Sequence, residues 1–180
     1  MFIAFGSMVL WLLAGPSFGF SASWQLVTST AFTITVAVAE SCSAGALASS
    51  LAKAEGAGDA LYGGFVTYLA TAKIDLLDVS ASEIEAPSAV SRPVARAMAE
   101  GVLANTTADL ALAITGVTGP VPDERGNPRG RVFIAVASRR SERLEYHCEF
   151  GPFPPPVLLD AALRTAIVLG REALRSHRAV

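Results

Sequence analysis

The chain has 180 residues, of which 52% are hydrophobic, and its formal net charge is −2 at pH 7. This size and composition are typical of one compact domain with a substantial core, and they leave little room for a long disordered tail. The 14 basic residues are scattered and form no basic stripe of the kind that nucleic-acid-binding proteins carry, so no nucleic-acid partner is expected.

The amino-terminal 25 residues contain no Asp, Glu, Lys or Arg. Their apolar run, residues 2–14, is short for a membrane-spanning helix and suits a signal-peptide core, but a basic region ahead of it is missing. Three interpretations stay open: an atypical signal, an apolar segment packed on the domain, or a misassigned start, with the last two preferred. We therefore expect an atypical segment at 1–30, a domain at 31–178, no stable membrane span and a cytoplasmic location, with export as the alternative.

Strand-like and helix-like segments alternate from residue 33 onward. Residues 33–39 are apolar and β-branched, which predicts a strand, and the Ala- and Leu-rich residues 43–54 predict a helix. The next predicted segments are a loop at 55–64, a strand at 65–70, a short helix or turn at 71–79, a connection at 80–91 and a helix at 94–105 opened by Pro93.

The second half of the chain predicts three strands and a closing helix. In order these are a strand at 108–115, a Gly/Pro loop at 116–130, a hairpin of strands at 131–138 and 143–150, a break at 151–156 and a helix at 157–174. The pattern predicts a mixed β-sheet covered by helices, in a single three-layer α/β/α domain. Ligands of such sheets bind where strands end and helices begin, which points to the loops AESCSAG and TGVTGP.

The first loop, AESCSAG (39–45), has two hydroxyls and a thiol where a strand meets a helix. Unpaired N–H groups at a helix start favour a negative charge, so Ser41 or Ser43 is a candidate nucleophile whose oxyanion would be stabilised there. The alternative is that Ser43 simply caps the helix. Cys42 is a rival nucleophile, but strand alternation points it opposite to Ser41, and we expect it to face the core.

A serine nucleophile needs a base, and neither His147 nor His177 lies in the candidate loops. Lys73 is the candidate, because its apolar neighbours would desolvate the ammonium and lower its pKa. Tyr68, near the end of the predicted strand, is placed to relay a proton or orient the hydroxyl. Taken alone, each of these two residues fits an ordinary role better, Lys73 as a solvated helix residue and Tyr68 as an edge aromatic.

The other polar features of the sequence are less specific. The two glycines of TGVTGP would let backbone N–H groups approach an anion, and Arg125, Arg129 and Arg131 follow in the same loop, where arginines meet a phosphate or are merely solvated. Cys42 and Cys148 form no CxxC motif and fit a reduced compartment. The chain has too few plausible ligands for a zinc site, so no metal or cofactor is expected.

Five motifs, in this order and spacing, resemble one family. They are AESCSAG, YGGFVTYLATAK, SAVSRPVARAMAEG, ADLALAITGVTGP and NPRGRVFIAVA, and they lie within about residues 36–150. Together they resemble the CinA C-terminal domain family, the nicotinamide-nucleotide amidohydrolases, whose first signature reads AESCTGG.

The resemblance implies hydrolysis of the carboxamide of nicotinamide mononucleotide to nicotinate mononucleotide and ammonia, through an acyl-enzyme. It implies Ser41, Tyr68 and Lys73 as the catalytic residues, and neither a metal nor a cofactor. The substrate-binding residues that it implies are Glu40, Ser43, Gly45, Thr115, Gly116 and Gly119. The expected partner is a small-molecule amide, and apolar surface near residues 1–30 would be compatible with a homodimer.

Several positions depart from the family pattern. Ala44 stands where glycine is usual, Leu69 and Ala70 replace a Ser-Asn pair, Arg92 replaces a glutamate, and GPFPPP replaces a segment with arginines suited to phosphate. These departures leave open a different amide substrate, or a nucleotide-binding or regulatory module without turnover. A secreted or membrane-tethered interaction domain is a third hypothesis, which rests on residues 1–25 alone.

Overall fold

The computed structural model describes residues 34–140 and 144–178, with side chains as far as Arg175. The predictions for residues 1–30 therefore lie outside the described residues. The elements in chain order are β1 (Val36–Glu40), α1 (Ala46–Ala52), α2 (Ala57–Ala60), β2 (Leu61–Val66), α3 (Ala70–Leu77), α4 (Ala81–Glu85), α5 (Arg92–Asn105), β3 (Leu110–Gly116), β4 (Arg131–Ser138), β5 (Leu144–Glu149) and α6 (Pro155–Arg178). No helix within this part of the chain is long and apolar enough to cross a membrane.

The strands form one mixed sheet in the order β2-β1-β3-β4-β5. Strand β1 is an inner strand that pairs in parallel with both β2 and β3, while β3, β4 and β5 are antiparallel neighbours. The carboxyl ends of β1, β2 and β3 therefore lie at the same edge of the sheet, which is where ligands of open α/β sheets bind.

The sheet is buried between two layers of helices. Val36 and Val38 of β1 belong to the core formed with α1 and α6, whereas Ala37 and Ala39 belong to the core formed with α3 and α5. A strand that is covered on both faces has a continuous apolar sequence, as the run before AESCSAG does. The predicted three-layer α/β/α domain is thus confirmed.

The largest error of the sequence prediction concerns β2. Residues 57–60 form a short helix and Leu61–Val66 form the strand, whereas the prediction had a loop at 55–64 and a strand at 65–70. Gly63 and Gly64 look like loop residues, but β2 is an edge strand, and Gly64 packs tightly on β1: a Cβ there would lie 3.1 Å from the Val38 carbonyl oxygen. Glycine in a strand marks such a close approach of two backbones.

A second glycine sets the distance between α3 and α5. A Cβ added at Gly101, in α5, would lie 2.1 Å from the Leu77 carbonyl oxygen at the end of α3. The clash is with backbone, so no side-chain rotation can relieve it. Because Gly101 allows this contact, α3 packs closely on α5, which begins with Ser91 as its N-cap.

We predict that Gly101→Ala lowers the free energy of unfolding by about 1–3 kcal/mol, since the added methyl overpacks the α3–α5 contact. The matched control is Gly58→Ala in α2, where an added Cβ would meet no atom within 4 Å; we expect it to be neutral or slightly stabilising. Urea unfolding measures both, and equal stability of the two variants would contradict the packing described.

Candidate active site

The loops that follow the three parallel strands meet at one edge of the sheet. The Ser41 N–H, just beyond β1, donates to the Ile114 carbonyl of β3 over 3.0 Å. The Thr67 N–H, just beyond β2, donates to the Glu40 carbonyl over 2.7 Å. These bonds extend the sheet ladder by one residue on each side and hold Ser41 between its neighbours.

Ser41 and Lys73 are in direct contact, although 32 residues separate them in the chain. The Lys73 Nζ lies 3.0 Å from the Ser41 Oγ. Both side chains are buried, with 8% of Ser41 and 1% of Lys73 exposed. The convergence of these two residues, predicted from the sequence, is confirmed.

The other neighbours of the Lys73 Nζ are backbone carbonyls. It lies 2.6 Å from the Thr67 oxygen and 3.4 Å from the Tyr68 oxygen, and no carboxylate among the described residues forms an ion pair with it. Burial lowers the pKa of the Lys73 ammonium from 10.5 to about 8. The three N–H groups of the ammonium can donate to these three oxygens; in the neutral form, two N–H groups remain for the carbonyls and the lone pair can accept the Ser41 O–H.

Glu40 is fully buried, and its carboxylate binds the start of α1. Oε2 accepts the N–H groups of Gly45 and Leu47, both over 2.9 Å, and Oε1 accepts that of Ala48 over 2.8 Å. The substrate contacts that the resemblance implies for Glu40 and for the Gly45 N–H do not agree with this arrangement, because these groups already bind each other inside the protein.

Ser43 does not cap the helix, so that alternative is wrong. Helix α1 begins three residues later, with Gly45 as its N-cap residue in a left-handed conformation. The Ser43 Oγ is buried and has no hydrogen-bond partner within the described part of the chain. In the same region the N–H groups of Cys42 and Ser43 donate to no oxygen acceptor, which leaves two backbone donors directly after Ser41.

Cys42 is a poor nucleophile in this setting. Its side chain is half-buried and packs on the core formed with α1 and α6, which confirms the predicted orientation. Burial raises the pKa of the Cys42 thiol from 9.0 to about 12. The thiolate is the reactive form of cysteine, so a protonated thiol leaves Ser41 as the better candidate.

Tyr68 lies in the bend between β2 and α3, with 65% of the residue exposed. Since β2 ends at Val66, Tyr68 is not a strand residue as the prediction had it. Its carbonyl oxygen is the group that contacts Lys73, and its hydroxyl forms no hydrogen bond with the described residues. The proton relay through this hydroxyl stays a prediction.

The TGVTGP loop lies beside AESCSAG, as the parallel pairing of β1 and β3 requires. The Thr118 hydroxyl donates to the Cys42 carbonyl over 3.2 Å, and the Thr115 hydroxyl donates to the Ala89 carbonyl over 3.0 Å. A Cβ at Gly119 would meet no atom within 4 Å, so this part of the loop is open. The substrate contacts implied for Thr115, Gly116 and Gly119 stay predictions.

Two of the three loop arginines are engaged within the protein. Arg129 donates to the carbonyls of Pro120 and Pro152, and Arg131 binds the Glu149 carboxylate over 2.6 Å. Their guanidinium groups hold the loop and the β4–β5 edge together, which disfavours the predicted meeting with a phosphate at these two positions.

Sequence reasoning missed Thr67. This residue is fully buried; its N–H binds the Glu40 carbonyl, and its own carbonyl binds Lys73. The only signal in the sequence was a hydroxyl residue next to a glycine-rich strand. Any residue type has a backbone carbonyl that could bind Lys73, so the sequence does not reveal this role.

Comparison with known proteins gives a consistent result. A family model described as the CinA C-terminal domain matches residues 25–166. A CinA-like protein of Rippkaea orientalis is 39% identical over 117 residues, 65% of this chain and 28% of that protein. A CinA-like protein of Mycolicibacterium gilvum is 48% identical over 103 residues, 57% of this chain and 24% of that protein. The chain thus spans about a quarter of the length of these curated relatives.

Solved structures show the same fold. The competence/damage inducible protein CihA from Agrobacterium tumefaciens superposes with a TM-score of 0.78 at 32% identity, covering 85% of this chain and 93% of that one. A competence-damaged protein (CinA) superfamily protein from Escherichia coli superposes with a TM-score of 0.75 at 33% identity, covering 85% of each chain.

The buried Lys73 predicts a stability that depends on pH. Below about pH 8 both the folded and the unfolded chain hold the proton, so the buried ammonium destabilises the fold. Between pH 8 and 10.5 the folded amine is neutral while the unfolded lysine stays protonated, so the contribution of Lys73 to the free energy of unfolding rises with pH. Over the whole window the rise is roughly 3 kcal/mol.

Urea unfolding at pH 7 and at about pH 10, on the wild type and on Lys73→Met, measures this rise as a difference between the two proteins. Lys53, the exposed second lysine of the chain, provides the matched control Lys53→Met. A wild-type and Lys73→Met difference that stays constant with pH would mean that the ammonium is not desolvated.

Ala44 predicts a second, independent effect on stability. Its φ is 48°, a left-handed conformation that costs a side-chain-bearing residue roughly 1 kcal/mol or more. We expect Ala44→Gly to raise the free energy of unfolding by about 1 kcal/mol, whereas Ala48→Gly, inside α1, should lower it by a similar amount. Thermal or urea unfolding of both variants measures these changes. A lower stability of Ala44→Gly would contradict the left-handed conformation of Ala44.

Proposed function

Because this chain belongs to the CinA C-terminal domain family, we propose that it hydrolyses a small carboxamide through an acyl-enzyme on Ser41. The observation that carries the proposal is the 3.0 Å contact between the Ser41 Oγ and the buried Lys73 Nζ. A nucleophile in hydrogen-bond contact with a base whose pKa is close to neutral is the arrangement that covalent catalysis requires.

The first half of the proposed reaction forms the acyl-enzyme. The neutral Lys73 amine takes the proton of the Ser41 hydroxyl as the Oγ forms a bond to the carboxamide carbon. The N–H groups of Cys42 and Ser43 are the donors proposed for the resulting oxyanion. As the C–N bond breaks, the Lys73 ammonium returns the proton to the departing nitrogen, and ammonia leaves.

The second half releases the acid. Lys73, neutral again, takes a proton from a water molecule whose oxygen attacks the acyl carbon. The ester bond to Ser41 breaks, and the proton returns to the Ser41 Oγ. Lys73 ends each half-reaction in the state in which it began, so the reaction consumes only the amide and one water molecule. We propose the carboxamide of nicotinamide mononucleotide as the first substrate to test, on the strength of the family resemblance.

A nucleotide-binding module without turnover is the second candidate function. It is favoured by Leu69, which is 67% exposed beside Lys73 where the family pattern has a polar residue. This candidate predicts that nicotinamide mononucleotide raises the melting temperature without ammonia being released.

The test is ammonia release from nicotinamide mononucleotide and from a panel of simple amides. We expect Ser41→Ala and Lys73→Met each to lower kcat/KM by about a thousandfold or more, since they act as one unit. The matched controls are Ser49→Ala and Lys53→Met, which change the same residue types at exposed positions of the neighbouring helix and should keep wild-type activity. Full activity in Ser41→Ala would refute the acyl-enzyme.

A further inference from the structure

We propose that Glu40 is a positioning residue, which fixes the Ser41 loop for reaction and registers it against Lys73. The proposal rests on the function proposed above, because it assigns a task within that reaction. In this proposal Glu40 does not make the substrate contact that the resemblance implies, but acts on the reaction through the backbone groups that it binds.

The Glu40 carboxylate is a buried anion that is satisfied by backbone alone. It is 0% exposed, its two oxygens accept three N–H groups over 2.8–2.9 Å, and no described lysine or arginine pairs with it. Hydrogen bonds to an ionised acceptor are about twice as strong as neutral ones. They join the residue just before Ser41 to the first turn of α1.

These bonds close the loop that contains Ser41. On one side, β1 and its neighbours hold Glu40 and Ser41 through the bonds from the Thr67 N–H and to the Ile114 carbonyl. On the other side, the carboxylate holds Gly45 and the residues after it. Only residues 42–44 remain between the two fixed ends, Ser41 and Gly45. The carboxylate also takes up the Gly45 N–H, so the N–H groups of Cys42 and Ser43 are those left for the oxyanion.

Glu40 also connects to the other half of the Ser41–Lys73 pair. Its carbonyl accepts the Thr67 N–H over 2.7 Å, and the Thr67 carbonyl accepts the Lys73 Nζ over 2.6 Å. The Glu40 side chain thus holds the loop that contains Ser41. The Glu40 carbonyl holds Thr67, whose own carbonyl accepts a hydrogen bond from Lys73. A displacement of either by about 1 Å is enough to slow a reaction by about a hundredfold.

Glu40→Gln is the informative change. Both carboxylate oxygens accept N–H groups here, so an amide of the same shape must turn its NH₂ toward a donor and lose at least one bond. The matched control is Asp109→Asn. Asp109 likewise accepts backbone and side-chain donors, the N–H and hydroxyl of Thr35, but it lies at the opposite edge of the sheet, at the start of β3.

The experiment measures covalent labelling of Ser41 by a fluorophosphonate, followed by intact mass, at a temperature well below the lowest melting point of the set. The proteins are the wild type, Ser41→Ala, Glu40→Gln, Glu40→Asp and Asp109→Asn. We expect the saturating labelling rate of Glu40→Gln to fall at least tenfold, with reagent affinity within about twofold and the apparent pKa of labelling still about 8. Asp109→Asn, whose amide oxygen can keep both Thr35 bonds in the place of Oδ2, should keep the wild-type rate.

A purely structural role would leave the labelling rate of the folded protein unchanged. Wild-type labelling by Glu40→Gln, or an equal loss in Asp109→Asn, therefore overturns the proposal. If Glu40→Gln does not fold, Glu40→Asp takes its place, since it keeps the charge but cannot reach the same N–H groups; wild-type labelling there is equally decisive. A wild type that does not label at Ser41 refutes the proposed function itself and the positioning role with it, a result distinct from Glu40→Gln failing alone.

Discussion

A lysine amine buried without an acidic partner is the feature on which the rest of the site depends. Lys73 has 1% of its surface exposed, and its nitrogen contacts two carbonyl oxygens and one hydroxyl. An ammonium in such a place loses its hydration, and the carbonyl dipoles restore only part of it, so the pKa of Lys73 falls to about 8. A nearby carboxylate would have reversed this effect by stabilising the charge. The absence of a described carboxylate partner is thus what allows lysine to act as a base close to neutral pH.

The negative charge at this site, on the Glu40 carboxylate, is also bound by backbone groups. The Glu40 carboxylate and the Lys73 amine do not pair with each other; each is bound by main-chain groups, the acid by N–H groups and the amine by carbonyls. Keeping the two side chains apart prevents an ion pair that would neutralise the acid and raise the pKa of the lysine. The parallel pairing of β1 and β2 gives each side chain its own partners. The start of α1 follows β1 and binds Glu40, whereas the carbonyls that follow β2 bind Lys73.

The sequence predicts the parts of this site that depend on the type of a residue, and it misses the parts that depend on backbone groups. Ser41 and Lys73 were candidates on their residue types, a hydroxyl at a strand–helix junction and a lysine among apolar residues, but their catalytic assignment rested on the resemblance of five motifs to one family. The sheet was predicted because its strands are apolar runs. Strand β2 was misplaced because Gly63 and Gly64 look like loop residues, and that error carried Tyr68 into a strand. The capping of α1 was assigned to Ser43 because a cap is usually adjacent, whereas Glu40 reaches the helix from five residues before Gly45. Roles that belong to backbone groups, such as the Thr67 carbonyl, leave no sequence signal.

The protonation of Lys73 can be observed directly, because the chain contains two lysines, Lys53 and Lys73. With ¹³C-labelled lysine, NMR titration of the two side-chain Cε signals reports each pKa separately, and Lys73→Met assigns the spectrum by removing one signal. The account predicts that the signal lost in Lys73→Met titrates at about 8. A Lys73 signal that titrates near 10.5 would show that burial does not lower the pKa of this lysine, and would contradict its role as the base for Ser41.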